Sequence, residues 1–376
     1  MKRIIFLYTL LGINFIIAQN NQKAIDAINK QLDEIWSDSN TPGLSLSVVF
    51  PDGEAVSFTK GMADIEKNLP MTSTTKMLGG STGKVFYSVV VLQLIEEGKL
   101  ELDTPIYSTM SDYDWFERLP NAKHLTVRSL MRHETGIPRY VFKESFQQDV
   151  VKDVDKVWKP EELLSYVVDN KPEFEVGSDF AYSDTNYIIL CMLIEEVTGN
   201  TLYEEVQSRV LDKAGLNHVV PQNKRRYDNI AQGYNAEDDG FFPGLQFDED
   251  GNSNYNLQFE WAGGGLVITS HDLAVLAKKI YEGEMFDPTL LDEYFKGRDA
   301  KQLRGQWGLG VHIQESPFGT VYGHSGFMPG YITNMMYFPE HKFAMCYQIN
   351  TSDRSKTGAG RKIPMISKII IDNLKP

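Results

Sequence analysis

The sequence predicts an α+β fold: one antiparallel sheet built from the two ends of the chain, flanked by helices, with a mainly helical segment inserted between them. Three observations predict it. A β-hairpin pattern lies near the start, Leu44 to Phe50 and Glu54 to Thr59 around the turn Pro51-Asp52-Gly53. Strand patterns return near the end, where Tyr331 to Phe338 and Phe343 to Ile349 are joined by Pro339-Glu340-His341-Lys342. Between Ser81 and about Leu216 the signals are mainly helical.

Residues 1–18 read as a secretory signal. Lys2 and Arg3 form the charged start, Ile4 to Ile17 is mostly apolar, and Ala18 before Gln19 offers a cleavage point. A helix is expected from Asn21 to Trp36. The hairpin follows, and then the buried helix after Ser81, a run from Val85 to Glu97 that is apolar nearly all round, with Gly98 as its stop. A second such helix follows Thr185 and ends at Gly199. Trp307 to Gln314 and Thr320 to Gly323 read as short strands, and a final helix runs from about Lys362 to Leu374. The expected division is a sheet lobe of residues 19–78 and 255–376 and a helical lobe of residues 79–254, in one domain of about 358 residues.

Composition excludes several function classes. The chain carries 37 basic and 51 acidic residues, and loss of Lys2 and Arg3 with the signal moves the net charge from −14 to −16. That balance argues against nucleic acid and anionic membranes as partners. After residue 18 no stretch is long and apolar enough to span a bilayer. The two cysteines, Cys191 and Cys346, sit in apolar runs and read as buried free thiols. The seven histidines contain no H-E-x-x-H pattern, so neither a metal nor a cofactor is expected.

Chemistry concentrates in three short segments. In Ser81-Thr82-Gly83-Lys84 the serine stands at a helix start, among unpaired N–H groups and at the positive end of the helix dipole. Lys84, three residues on, shares its face. An amine within reach of a hydroxyl is what activates a serine as a nucleophile. Ser73-Thr74-Thr75-Lys76 repeats the spacing, but Met77-Leu78-Gly79-Gly80 follows it, so no helix aligns the pair. The bland role for Ser81 is a helix cap.

The second segment is Tyr182-Ser183-Asp184-Thr185-Asn186, again at the start of a buried helix. Tyr182 can move protons if a neighbouring cation lowers its pKa, and Asp184 can be a cap, a site residue or both. The third is Gly323-His324-Ser325-Gly326-Phe327, read as lying between two strands. Its small residues would let a substrate lie along a strand edge.

In order and spacing these three segments resemble the S-x-x-K, Y-x-N and K-T-G or H-x-G elements of the serine β-lactamase-like family, which includes class C β-lactamases, DD-carboxypeptidases and related esterases. Leu125 to Ile137, Ile194 to Gly199, Ala262 to Leu266 and Trp307 to Gly310 resemble it too, and the likeness covers about residues 40 to 350. The resemblance implies a β-lactamase/transpeptidase-like fold and a serine hydrolase, and the signal-like residues 1–18 add the expectation that it is exported, periplasmic or secreted. Ser81 would attack a carbonyl and form an acyl-enzyme, with Lys84 and Tyr182 sharing the proton transfers. Backbone N–H groups of Ser81 and Phe327 would form the oxyanion hole. His324 would stand beside Tyr182, supported by Ser325 and Gly326. The substrate would be a small molecule or peptide: an ester, a D-amino-acid peptide or a β-lactam.

Two positions depart from the family pattern. Asp184 stands for the usual asparagine and should hold Lys84 protonated. His324 stands for the lysine of efficient class C β-lactamases and is a weaker cation at neutral pH. Two other readings fit parts of the sequence. Gly79 to Gly83 also matches G-x-S-x-G, so Ser81, Asp184 and His324 could form an α/β-hydrolase triad, although only one hairpin and a short strand precede Ser81. A catalytically silent binding protein could also keep the fold.

Overall fold

The computed structural model describes residues 21–374, so the signal-like segment 1–18 lies outside the described residues. The six principal strands are β1 Gly43–Val49, β2 Ala55–Asp64, β3 His312–Ser316, β4 Gly319–Met328, β5 Tyr331–Phe338 and β6 Phe343–Ile349. They form one antiparallel sheet in the order Leu69–Pro70, β2, β1, β6, β5, β4, β3, Gln306–Trp307, Arg298–Asp299. The seam between chain ends is the β1–β6 pair, in register from Leu44 opposite Ile349 to Val49 opposite Ala344. The expected sheet from both termini is therefore present.

The principal helices are α1 (residues 21–37), α2 Gly83–Glu96, α3 Asp184–Thr198, α4 Ser270–Tyr281 and α5 Ile366–Leu374. Side-chain alternation sorts them into layers. Phe343, Met345, Leu44 and Leu46 pack against Ala24, Ile28 and Leu32 of α1 and Ile366 and Ile370 of α5. Ala344 and Cys346 face the other way, into the core that holds α4, α2 and α3. Ser45 and Ser47 both reach Ser270 Oγ at 2.8 Å, which satisfies their hydroxyls where α4 crosses β1. Cys191 and Cys346 are both free and buried. Among the described residues no helix is long and apolar enough to cross a membrane.

Three expectations shift. Trp307 to Gln314 is two strands, because Gly308 donates to Val311 O at 2.8 Å in a turn where Gly310 takes φ +86°. The segment read as lying between strands, Gly323 to Phe327, is itself strand: β4 runs on to Met328, pairing His324 with Met335 and Phe327 with Ile332. Its glycines mark close packing and not a break, since a Cβ on Gly323 would meet Met335 O at 1.9 Å and one on Gly326 would meet Gly79 O at 2.0 Å. The final helix is interrupted by a 3₁₀ turn, Ile363–Met365, where Pro364 has no N–H to give.

Candidate active site

Ser81 lies in a single 3₁₀ turn, Gly80–Thr82, that leads directly into α2. The residue at the cap position of α2 is Thr82, and no side chain caps the helix there. Ser81 thus has none of the bonds a cap would make, and its Oγ is left to Lys84 Nζ, 3.2 Å away. Ser73 sits in an exposed turn before Met77–Leu78, and no helix aligns it with Lys76. Two glycines bring the turn into place. Gly80 takes φ +52°, with the Phe327 backbone packed on it so closely that a Cβ would lie 2.6 Å from Phe327 N. A Cβ on Gly83 would lie 1.6 Å from Gly264 O. The N–H of Phe327 and the Ser81 turn are therefore held side by side, as a two-donor oxyanion site requires.

Lys84 is completely buried. Its ammonium also donates to Asp184 Oδ1 at 2.7 Å and to Gly263 O. The cap at the head of α3 is Ser183, again without a side-chain cap bond, and Asp184 is the first helical residue. Its carboxylate is spent on two cations, Lys84 through Oδ1 and Arg139 through Oδ2, the latter at 3.0 Å from Nε and 2.6 Å from Nη2. Burial opposes the charge on Asp184, but Lys84 and Arg139 outweigh it and hold the carboxyl well below the usual range. Burial likewise pulls the Lys84 pKa down, and Asp184 and Tyr182 carry it above its ordinary value. Lys84 is an ammonium at neutral pH.

Tyr182 lies under both cations, with Lys84 Nζ 5.3 Å and the Arg139 guanidinium 5.2 Å from its ring centroid. Its hydroxyl is buried beside Ser81 and Lys84, both of which favour its ionised form. The expected lowering of its pKa is overridden: burial raises it more than Lys84 lowers it, and the residue is a neutral phenol. His324 stands 6.2 Å from Tyr182, centroid to centroid. Its Nδ1 donates to Ser325 O at 2.7 Å, so Nε2 carries the lone pair, and Nε2 has no partner. Burial pushes the His324 pKa down to about 3, with the charge on Lys84 adding to the effect. The side chain is neutral, more firmly than the sequence reading supposed. Strand alternation turns Ser325 and Phe327 to the face opposite His324 and Gly326, and Phe327 is exposed.

These groups line a cleft of about 1140 Å³ whose wall includes Ser81, Arg139, Tyr182, Trp307, His324 and Phe327. Arg139 was not singled out from the sequence, and Trp307 and His133, which lie in segments that carry the family resemblance, were given no role there. Arg139 follows Gly136-Ile137-Pro138 with no pattern to mark it. His133 takes φ +56° and stacks on Tyr182 at 4.2 Å. Its Nδ1 accepts from the Ser183 N–H at 3.2 Å, which ties the Tyr182 segment to the loop before it. Asp184 bonds Lys84 and Arg139 while His324 bonds its own strand, so the α/β-hydrolase triad is not assembled. The antiparallel sheet excludes that fold as well. Among the described residues no cluster of side chains is able to hold a metal ion.

The beta-lactamase family model matches residues 25–364, most of the chain. The chain belongs to the beta-lactamase family. Relatives within that family are distant. A teichoic acid D-alanine hydrolase of Staphylococcus aureus is 25% identical over 68% of this chain and 58% of its own length. A penicillin-binding protein of Bacillus subtilis is 24% identical over 78% of this chain and 64% of its own. The chain thus spans less than two thirds of the curated relatives it matches. The crystal structure of a D-amino acid amidase from Ochrobactrum anthropi superimposes with a TM-score of 0.76 at 22% identity, covering 94% of this chain and 99% of that one. This beta-lactamase-family fold therefore accounts for nearly the whole described chain.

Proposed function

We propose that the protein is an exported serine hydrolase that cleaves an ester or an amide of a D-amino acid through an acyl-enzyme on Ser81. The observation that carries this reading is the buried Ser81–Lys84–Asp184 chain at the floor of an open cleft, with contacts of 3.2 and 2.7 Å. Export rests on the signal-like residues 1–18. The relatives named for D-alanine and D-amino acid chemistry support the substrate class.

Ser81 Oγ attacks the carbonyl carbon and forms the new C–O bond. The developing oxyanion is held by the N–H groups of Ser81 and Phe327, worth several kcal/mol in such sites. Tyr182 accepts the Ser81 proton as its own proton passes to the departing alkoxide or amine, so no free base is consumed. Lys84 stays an ammonium throughout and stabilises the negative charge that passes through the Tyr182 oxygen. Water then repeats the sequence on the acyl-enzyme, restores Ser81 and releases the acid.

The charge inventory points away from β-lactams. The ring carboxylate of a β-lactam needs an uncommitted cation facing the cleft, but Lys84 and Arg139 are both paired with Asp184 and His324 is neutral. Across a library of activated esters, D-amino-acid amides, D-alanyl peptides and β-lactams, kcat/KM should be at least about tenfold higher for the best ester or D-amino-acid substrate than for any β-lactam. Efficient cephalosporin turnover would contradict the reading of His324 and Arg139.

A further inference from the structure

Glu260 lies behind the site and is not part of the cleft wall. It belongs to the segment Leu257–Gly263, in which Trp261 is forced to φ 33°, ψ −106°. A bulky residue in that conformation is strained, and strain of this kind persists only where surrounding contacts enforce it. Tyr87 donates to Trp261 O and Gly264 O at 3.3 Å, Tyr140 to Phe259 O and Tyr203 to Gly265 O at 3.2 Å, and Lys84 to Gly263 O. Five polar bonds from surrounding elements thus pin residues 259–265, a distorted stretch whose one acidic side chain, Glu260, is buried.

That side chain stands close to the chemistry. A Cβ on Gly264 would lie 2.2 Å from Gly80 O on one side and 2.8 Å from Glu260 Oε1 on the other. One glycine's thickness therefore separates the Glu260 carboxyl from the Ser81 turn. Gln222 Nε2 donates to Glu260 Oε2 at 3.0 Å.

We propose that Glu260 is a positioning residue for the serine reaction, acting through Lys84: its protonation state sets the net charge against which the Ser81 proton is transferred. The proposal rests on the serine mechanism above. Burial raises the Glu260 pKa to about 7, against Lys84 and Gln222, which lower it, and with Asp184, which raises it. The other groups facing it do not titrate near neutrality. Lys84 is held above its ordinary value, Asp184 far below its own, and the phenols of Tyr87, Tyr140 and Tyr203 are pushed up by burial. Arg139 remains a cation on the far side of Asp184. With Glu260 protonated, the charges of Lys84 and Arg139 exceed that of Asp184 by one unit. With Glu260 ionised, they balance. The oxyanion forms in the first state with more help than in the second, so the protonated form is the faster one.

The test compares pH profiles of kcat/KM for the parent, Glu260→Gln and Gln222→Leu on one activated ester. The parent should lose roughly threefold to tenfold in rate as pH rises through about 7. Glu260→Gln should keep the low-pH rate and show no step there. Gln222→Leu removes a bond that favours the ionised carboxyl, so its step should move to higher pH. Infrared difference spectra should show a protonated-carboxyl band in the parent at low pH that Glu260→Gln lacks. Profiles of the parent and both variants that superimpose, with a rate that still depends on Ser81, would overturn the proposal alone. Hydrolysis that survives Ser81→Ala would overturn the serine mechanism and the proposal together.

Discussion

Ser81→Ala should abolish hydrolysis of an activated ester, a loss of at least about 10³-fold in kcat, while Ser73→Ala leaves the rate within about twofold of the parent. Both serines sit three residues before a lysine. Only Ser81 is followed by a helix, α2, that stacks serine and lysine on one face, and only its lysine is buried against a carboxylate. Ser81 bears no cap bond whose loss would unfold the helix, so the variant should melt close to the parent. Steady-state rates and thermal melts of the two variants check this. Equal losses in two folded variants would remove the distinction between the motifs.

Asp184→Asn should have the largest effect on stability. It leaves Lys84 and Arg139 without their shared anion, and removing one partner from a buried ion pair costs about 3–5 kcal/mol. The pH dependence distinguishes this from loss of a helix cap. In the parent, Lys84 is raised above its unfolded value, so its contribution is complete below about pH 10 and is lost only as pH rises through the folded value. In the variant, burial acts without the anion and lowers Lys84 below its unfolded value. At this lysine the unfolded chain then binds more protons near neutrality, so the Lys84 contribution to stability rises with pH up to about 10. The buried thiols and phenols make both proteins less stable as pH rises, so the gap in melting temperature between Asp184→Asn and the parent should narrow between about pH 7 and 10. The basic limb of kcat/KM should shift as well, because Tyr182 and Lys84 titrate as a coupled pair. Parallel melting curves would reduce Asp184 to a packing residue.

Much of this site was legible because its parts are local in sequence. S-x-x-K on a helix places two side chains together by helix geometry alone, and Tyr182 and Asp184 flank the start of one helix. The hairpin and the final strands alternate with period two, so the sheet could be drawn from both termini. What escaped depends on tertiary approach. Arg139 meets Asp184 across 45 residues, and Glu260 reaches the back of Lys84 from a segment with no periodicity. Gly323 to Phe327 was read as lying between two strands, with small residues that make room for a substrate, whereas Gly323 and Gly326 are required within one strand where neighbouring backbones touch. Tyr182 shows the limit for electrostatics. The sequence placed a cation near it, but burial, which outweighs that cation, is a property of the packed fold.

Covalent trapping shows whether Ser81 is the nucleophile and Lys84 its activating partner. The protein is treated with a fluorophosphonate, digested, and the modified peptide identified by mass spectrometry. A single adduct on Ser81, formed by the parent and lost in a folded Lys84→Ala variant, is the expected result. An adduct on Ser73 or another serine, or undiminished labelling of Ser81 without Lys84, would contradict it.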